Sequence, residues 1–290
     1  MNWAGGFLAL LATVIVGRDL YQYADEIDYA SFSPLFTITL VVLCIVYGGA
    51  SLMLARAWWH LLNAAGVEAP WFQSLSIYGI SQLGKYVPGN VAQVLGRQAM
   101  AQGAGYDGLA VARTAVFEVV LLCAAAIVIG MIAAPVILPG WPVWGGLGLA
   151  TALYGMLWFL VGNLWGHHTR LAFGWLTGFL AITGVTFLVL LVLSTEVTAS
   201  AIPIVHGAYV GAWLIGYVAP GAPAGIGVRE VAVTWLLGDL TTPAILTFTV
   251  VLARVVSIIG DALFFLVGLV CRFYPGEVLQ DGEVNNSERE

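Results

Sequence analysis

Six apolar runs constrain this chain more than any motif in it. They lie at about residues 3–20, 34–62, 109–134, 142–164, 170–193 and 243–271. Each is near or above the ~20 residues that cross a hydrocarbon core as a helix. Only 9% of the residues are charged, against about 25% in a soluble domain, too few to cover a surface that faces water. A bilayer satisfies no backbone polar group, so such runs must be helices, and the alternation of barrel strands is absent. The expected class is an all-α polytopic membrane protein with about six full transmembrane helices. The N-terminal MNWAGGFLALLATVIVG has no basic region ahead of its apolar stretch and reads as a retained first helix. Residues 273–290 read as a disordered acidic tail.

Two further apolar segments, 71–100 and 203–238, are each interrupted by Pro-Gly. Half of such a segment is short for a crossing, so each is expected to dip in and out as a re-entrant hairpin of half-helices. The first carries GKYVPG, Gly84 to Gly89, and the second GYVAPG, Gly216 to Gly221. Each has a tyrosine before the break, Tyr86 and Tyr217, and an arginine eight residues past the second glycine, Arg97 and Arg229. Each leads into a span holding an arginine and then an acid, Arg113 with Glu118 and Arg254 with Asp261. Three full spans separate the two breaks. That odd number predicts opposite faces and an inverted repeat, with repeat A at about 34–134 and repeat B at about 170–271 of one membrane-embedded domain, 1–272. With both termini cytoplasmic, Arg56, Lys85, Arg97, Arg170 and Arg272 fall inside, against Arg18 and Arg229 outside. This is the positive-inside bias expected of a multi-pass protein of the cell membrane.

Charges within a bilayer are costly and face a cavity or a partner. A Pro-Gly break frees backbone N–H groups at the start of the next half-helix, where the helix dipole favours an anion. Arginine adds a bidentate fork for phosphate and lysine a point charge. Lys85, Tyr86, Asn90, Arg97, Arg113, Tyr217, Arg229 and Arg254 are the candidate substrate-binding residues. Glu118, Glu230 and Asp261 would balance charge or couple protons, and Pro88, Gly89, Pro220 and Gly221 would act as hinges. Arg254 and Asp261, seven apart, share a helix face, whereas Arg113 and Glu118, five apart, do not. The plainer alternative is that Arg113, Glu118, Arg254 and Asp261 pair across helices and neutralise one another. His60, His167 and His168 read as interface or surface residues, and His206 as a lone polar residue in an apolar half-helix. Cys44, Cys123 and Cys271 read as small apolar residues, and no metal-binding, nucleotide-binding or nucleophile motif occurs. Neither a metal nor a cofactor is expected. The spacings Gly162–Gly166 and Gly174–Gly178 allow close helix contact.

The stretch GISQLGKYVPGNVAQVLGR, the VFEVV around Glu118, APGAPAGIGVREVAVTWLL and the helix of Arg254 and Asp261 together resemble the integral membrane family of lysylphosphatidylglycerol synthases and flippases. The likeness covers roughly residues 5–272. PGAPAGIGVRE is two residues longer between its Pro-Gly and its Gly-x-Gly-x-Arg-Glu than that family's compact form. The resemblance implies a lipid translocator with re-entrant helices. It matches the stand-alone members, because the aminoacyl-transferase domain of the larger relatives has no counterpart in these 290 residues.

The expected function is therefore a flippase or transporter, not an enzyme, that moves an anionic-headgroup lipid: an aminoacyl-phospholipid, a phospholipid or a polyprenyl-phosphate carrier. Membrane lipids are the expected partners and nucleic acid is not. A homodimer and a separate lipid-modifying enzyme stay open as protein partners. The rival readings are a membrane-embedded enzyme acting on a lipid phosphate and a non-transporting scaffold subunit.

Overall fold

The computed structural model describes residues 33–86, 92–138, 140–219, 225 and 227–273. The apolar run at 3–20, the acidic tail, and Pro88, Gly89, Asn90, Pro220 and Gly221 lie outside the described residues. What is described is mostly helical, with no strand among these residues. We number the helices α1 (Pro34–Ala64), α2 (Trp71–Gln82), α3 (Ala92–Gly103), α4 (Gly108–Ile137), α5 (Val143–Ser194), α6 (Ala201–Val218), α7 (Val228–Leu237) and α8 (Pro243–Arg272). Five of them, α1, α4, α5, α6 and α8, are long and apolar enough to cross a membrane.

Local chemistry sets the starts of the long helices. Ser33 and Thr242 each accept a hydrogen bond from the first turn, by way of Phe36 N–H and Ile245 N–H, and proline follows each of them at the first helical position. Asp107 caps α4 by accepting from Ala110 N–H at 2.7 Å. Inside α5, Gly166 adopts φ 88°, a conformation that other residues rarely take. The helix turns back on itself there. Gly162 meets the Arg170 side chain, Trp158 meets Gly174, and the Tyr154 and Phe173 rings stack with centroids 5.4 Å apart. These contacts make 143–165 and 167–194 two antiparallel legs, matching the two runs expected at 142–164 and 170–193. Glycines 162, 166 and 174 do allow close contact, within this one folded helix. One expectation differs in length: α6, the first half of the second broken segment, has 18 residues. At 1.5 Å per residue it reaches about 27 Å.

Much of the outside of the bundle is apolar, and several charges are inside. Leu35, Ile38, Val41 and Ile45 on α1 are exposed, as are Ile258, Leu266 and Val270 on α8. Arg97, Glu118, Arg229, Glu230 and Asp261 are buried. This inverts a soluble protein and suits a hydrocarbon surround. With its five long apolar helices, the chain is a multi-pass, all-helical membrane protein.

Backbones meet where glycine leaves room. A Cβ on Gly48 of α1 would lie 2.9 Å from the Gly260 carbonyl oxygen of α8, and one on Gly79 of α2 would lie 3.0 Å from Gly268 Cα. Small residues of this kind let membrane helices approach and gain dispersion contacts. The Gly79–Gly268 crossing also aligns function: Asp261, two turns before Gly268, is brought beside the end of α2.

Candidate functional site

At each Pro-Gly break the two flanks touch. A Cβ on Gly84 would sit 2.7 Å from the backbone of Gln93, and one on Gly216 would sit 3.4 Å from Gly225 Cα. Both glycines stand four residues before their Pro-Gly proline, and both contacted residues stand four after its glycine. Gly225 itself takes φ 69° and lies against the Gly216 carbonyl. Close flanks direct the following half-helix back into the bundle, and this carries Arg97 and Arg229 inward.

Both segments open onto one cavity of about 470 Å³. Its wall includes Gln82, Lys85, Tyr86, Gln93 and Arg97 from the first segment and Trp213, Tyr217, Gly225 and Arg229 from the second. Glu118 and Leu122 of α4, Tyr47 of α1, Phe179 of α5 and Arg254 of α8 complete much of it.

Three ion pairs order the charges. Arg97 Nη2 lies 2.7 Å from Glu118 Oε2, and both side chains are buried. Tyr78 donates its hydroxyl proton to the other Glu118 oxygen. The Arg97 guanidinium also lies over two rings, 4.6 Å from the centre of Tyr78 and 5.3 Å from that of Trp58. Trp58 is itself held by donation from Nε1 to Thr114 Oγ1 at 3.0 Å. A cation against aromatic faces keeps part of its stabilisation where water is excluded. Lys85 Nζ lies 2.6 Å from Asp261 Oδ2, which also accepts from the Tyr86 hydroxyl, while Gln82 donates to Oδ1 at 3.2 Å. Gln93 donates to Gln82 and so ties the far flank of the break into the same network. Asp261 has no exposed surface, whereas the Lys85 side chain is 22% exposed and is the more accessible partner.

The second break is braced differently. Glu230 accepts from Gly227 N–H at 2.6 Å and from Arg254 Nε at 2.8 Å. Arg254 also donates to the Gly225 carbonyl at 2.9 Å. One freed amide at the start of α7 is thus taken by the protein's own carboxylate. Arg229 is buried, with its guanidinium 5.9 Å from the centre of the Trp213 ring, and Trp213 stacks on Tyr217.

Of the residues singled out by sequence, Lys85, Tyr86, Arg97, Glu118, Tyr217, Arg229 and Arg254 line the cavity, and Asp261 and Glu230 anchor members of its wall. Arg113 does not join them: it is exposed on the outer face of α4. Glu118 and Asp261 do pair across helices, with Arg97 and Lys85 rather than with each other's neighbours. Tyr47, Tyr78, Gln82, Gln93 and Trp213 belong to the site and were not legible, since tyrosine, tryptophan and glutamine inside apolar helices look like ordinary filling. His60 is buried and shares a hydrogen bond with the half-buried His168 at 3.1 Å, away from the cavity. Among the described residues no cluster of three or more His, Cys, Asp or Glu could hold a metal ion.

No protein-family model matches this chain, and no curated protein matches it.

Proposed function

We propose that the chain is a translocator, not an enzyme, for a lipid with an anionic phosphate headgroup, and that it is a stand-alone relative of the lysylphosphatidylglycerol flippases. The carrying observation is that both broken segments line one cavity. Among the described residues it gathers the cationic side chains Lys85, Arg97, Arg229 and Arg254, with the carboxylates Glu118, Glu230 and Asp261 bound to members of its wall. Arginine and lysine N–H donors gathered in a space where the effective dielectric is low favour an anionic guest with several acceptor oxygens. The volume suits a phosphate headgroup and its ester substituent, while the apolar exterior accommodates chains left in the bilayer.

On this reading the headgroup meets Arg97 from the first segment and Arg229 from the second, and Lys85 exchanges Asp261 for the lipid phosphate. The matching contacts of Gly84 with Gln93 and of Gly216 with Gly225 support two re-entrant hairpins related as an inverted repeat. Both termini are then cytoplasmic and the host is the cell membrane.

The test is native mass spectrometry of the purified protein beside Arg97→Glu and the double variant Arg97→Gln/Glu118→Gln. The double variant removes the pair without leaving a buried carboxylate alone. A specific anionic lipid retained by the wild type and lost in both variants is expected. Equal, nonspecific lipid on all three would refute the site and favour a scaffold. Turnover of the lipid in detergent would favour the enzyme.

A further inference from the structure

Nearly all of the cavity wall is buried or half-buried. Among the described lining residues, Val119 and Val218 are the exposed ones, at 40% and 58%. Val119 belongs to α4 and Val218 ends α6, so among the described residues the cavity wall reaches the surface at these two positions. Its lips are apolar: Val116 and Val120 flank Val119 on the outside, Ile215 precedes Val218, and Leu95 is exposed beside the cavity-lining Val94. Val119 stands eleven residues past the start of the 30-residue α4, or about 17 Å along it. That depth falls within the span of a hydrocarbon core about 30 Å thick. Next to Val119 in sequence, Glu118 turns inward to Arg97. One residue step thus separates the charged interior from the apolar lip, and Tyr217 makes the same boundary beside Val218.

Resting on the anionic-lipid reading above, we infer that the ligand's alkyl chains leave the cavity sideways between Val119 and Val218. The guest is then a membrane-resident phosphate ester taken from the bilayer, and not a soluble anion entering from water. A group held at Arg97 has its nearest apolar exit at Val119, and a dissolved phosphate would have to cross acyl chains to use the same door.

The experiment uses the full chain in nanodiscs containing phosphatidylglycerol with a diazirine on its acyl chain. Photolabelled peptides should include residues 116–120 and 215–218. Val119→Trp should lower that labelling by about tenfold. So should Val119→Cys, in a chain whose Cys44, Cys123 and Cys271 are replaced by serine, once a bulky maleimide is attached after folding; this variant separates blockage from misfolding. Glycerol phosphate should bind far more weakly than phosphatidylglycerol. Labelling confined to other faces and unchanged by the block, with lipid retention still sensitive to Arg97→Glu, overturns the sideways exit and leaves the lipid reading standing. Glycerol phosphate binding as tightly as the lipid, block or no block, overturns it in favour of a soluble anion. Lipid retention indifferent to Arg97→Glu removes both readings together.

Discussion

Arg97 and Glu118 show what one buried pair does in this protein. Neither has water to fall back on, so removing one partner strands the other's charge. Arg97→Ala or Glu118→Ala should each cost about 3–5 kcal/mol, as for other broken buried pairs. Arg97→Ala/Glu118→Ala should cost clearly less than the two together, because the residues are in contact. Unfolding in detergent measures all three, and strict additivity would show that the pair is not coupled. Arg97→Lys keeps the charge but gives up the planar fork lying over Tyr78 and Trp58. It should recover part of the stability and little of the lipid retention in native mass spectrometry. Charged residues were legible in sequence because they stand out against apolar surroundings. Which way each one faces was legible only by spacing, and Arg113 shows the limit. Five residues from Glu118, it lands on the other side of α4, among exposed valines and leucine.

At the scale of elements, glycines decide how close helices come. Gly268→Leu would put a branched side chain where Gly79 Cα and backbone already lie about 3 Å from a Cβ. Overpacking of this kind costs about 1–3 kcal/mol, so a lower unfolding temperature is expected, with Asp261 drawn away from Lys85. Gly49→Ala is the control, since nothing lies within 4 Å of a Cβ there, and it should be neutral or slightly stabilising by helix propensity. Gly216→Val should separate the flanks of the second break and weaken lipid retention, because Gly225 and Arg229 Cβ both lie against Gly216. Equal loss of stability at Gly49 and Gly268 would refute this account of the crossings. The helices themselves were plain from their apolar runs, and five of the six expected runs coincide with described helices or legs. That the runs at 142–164 and 170–193 form one folded helix was not plain, because the turn rests on the single positive φ of Gly166.

For the whole molecule, the prediction concerns sidedness. Three legs, 108–137, 143–165 and 167–194, separate the two broken segments. If each segment returns to the face it left, the ends of α3 and α7 open on opposite sides. In a chain lacking its native cysteines, Asp239→Cys should react with an impermeant maleimide on intact cells, and Gln102→Cys only after the membrane is opened. Both positions are exposed. Labelling of both from one side would refute the inverted repeat.

The sequence by itself determined the class of this protein: runs of apolar residues with so few charges leave a backbone no stable state in lipid except the helix. It also determined where the chain breaks, because proline and glycine act within their own few residues. Only the tertiary structure decided that both broken segments line one cavity, and that Arg254 serves Glu230 and Gly225 while Lys85 serves Asp261. Those facts join residues as far apart in sequence as Lys85 and Asp261. Local propensity carries no information over such a distance; the close packing of helices across glycine does.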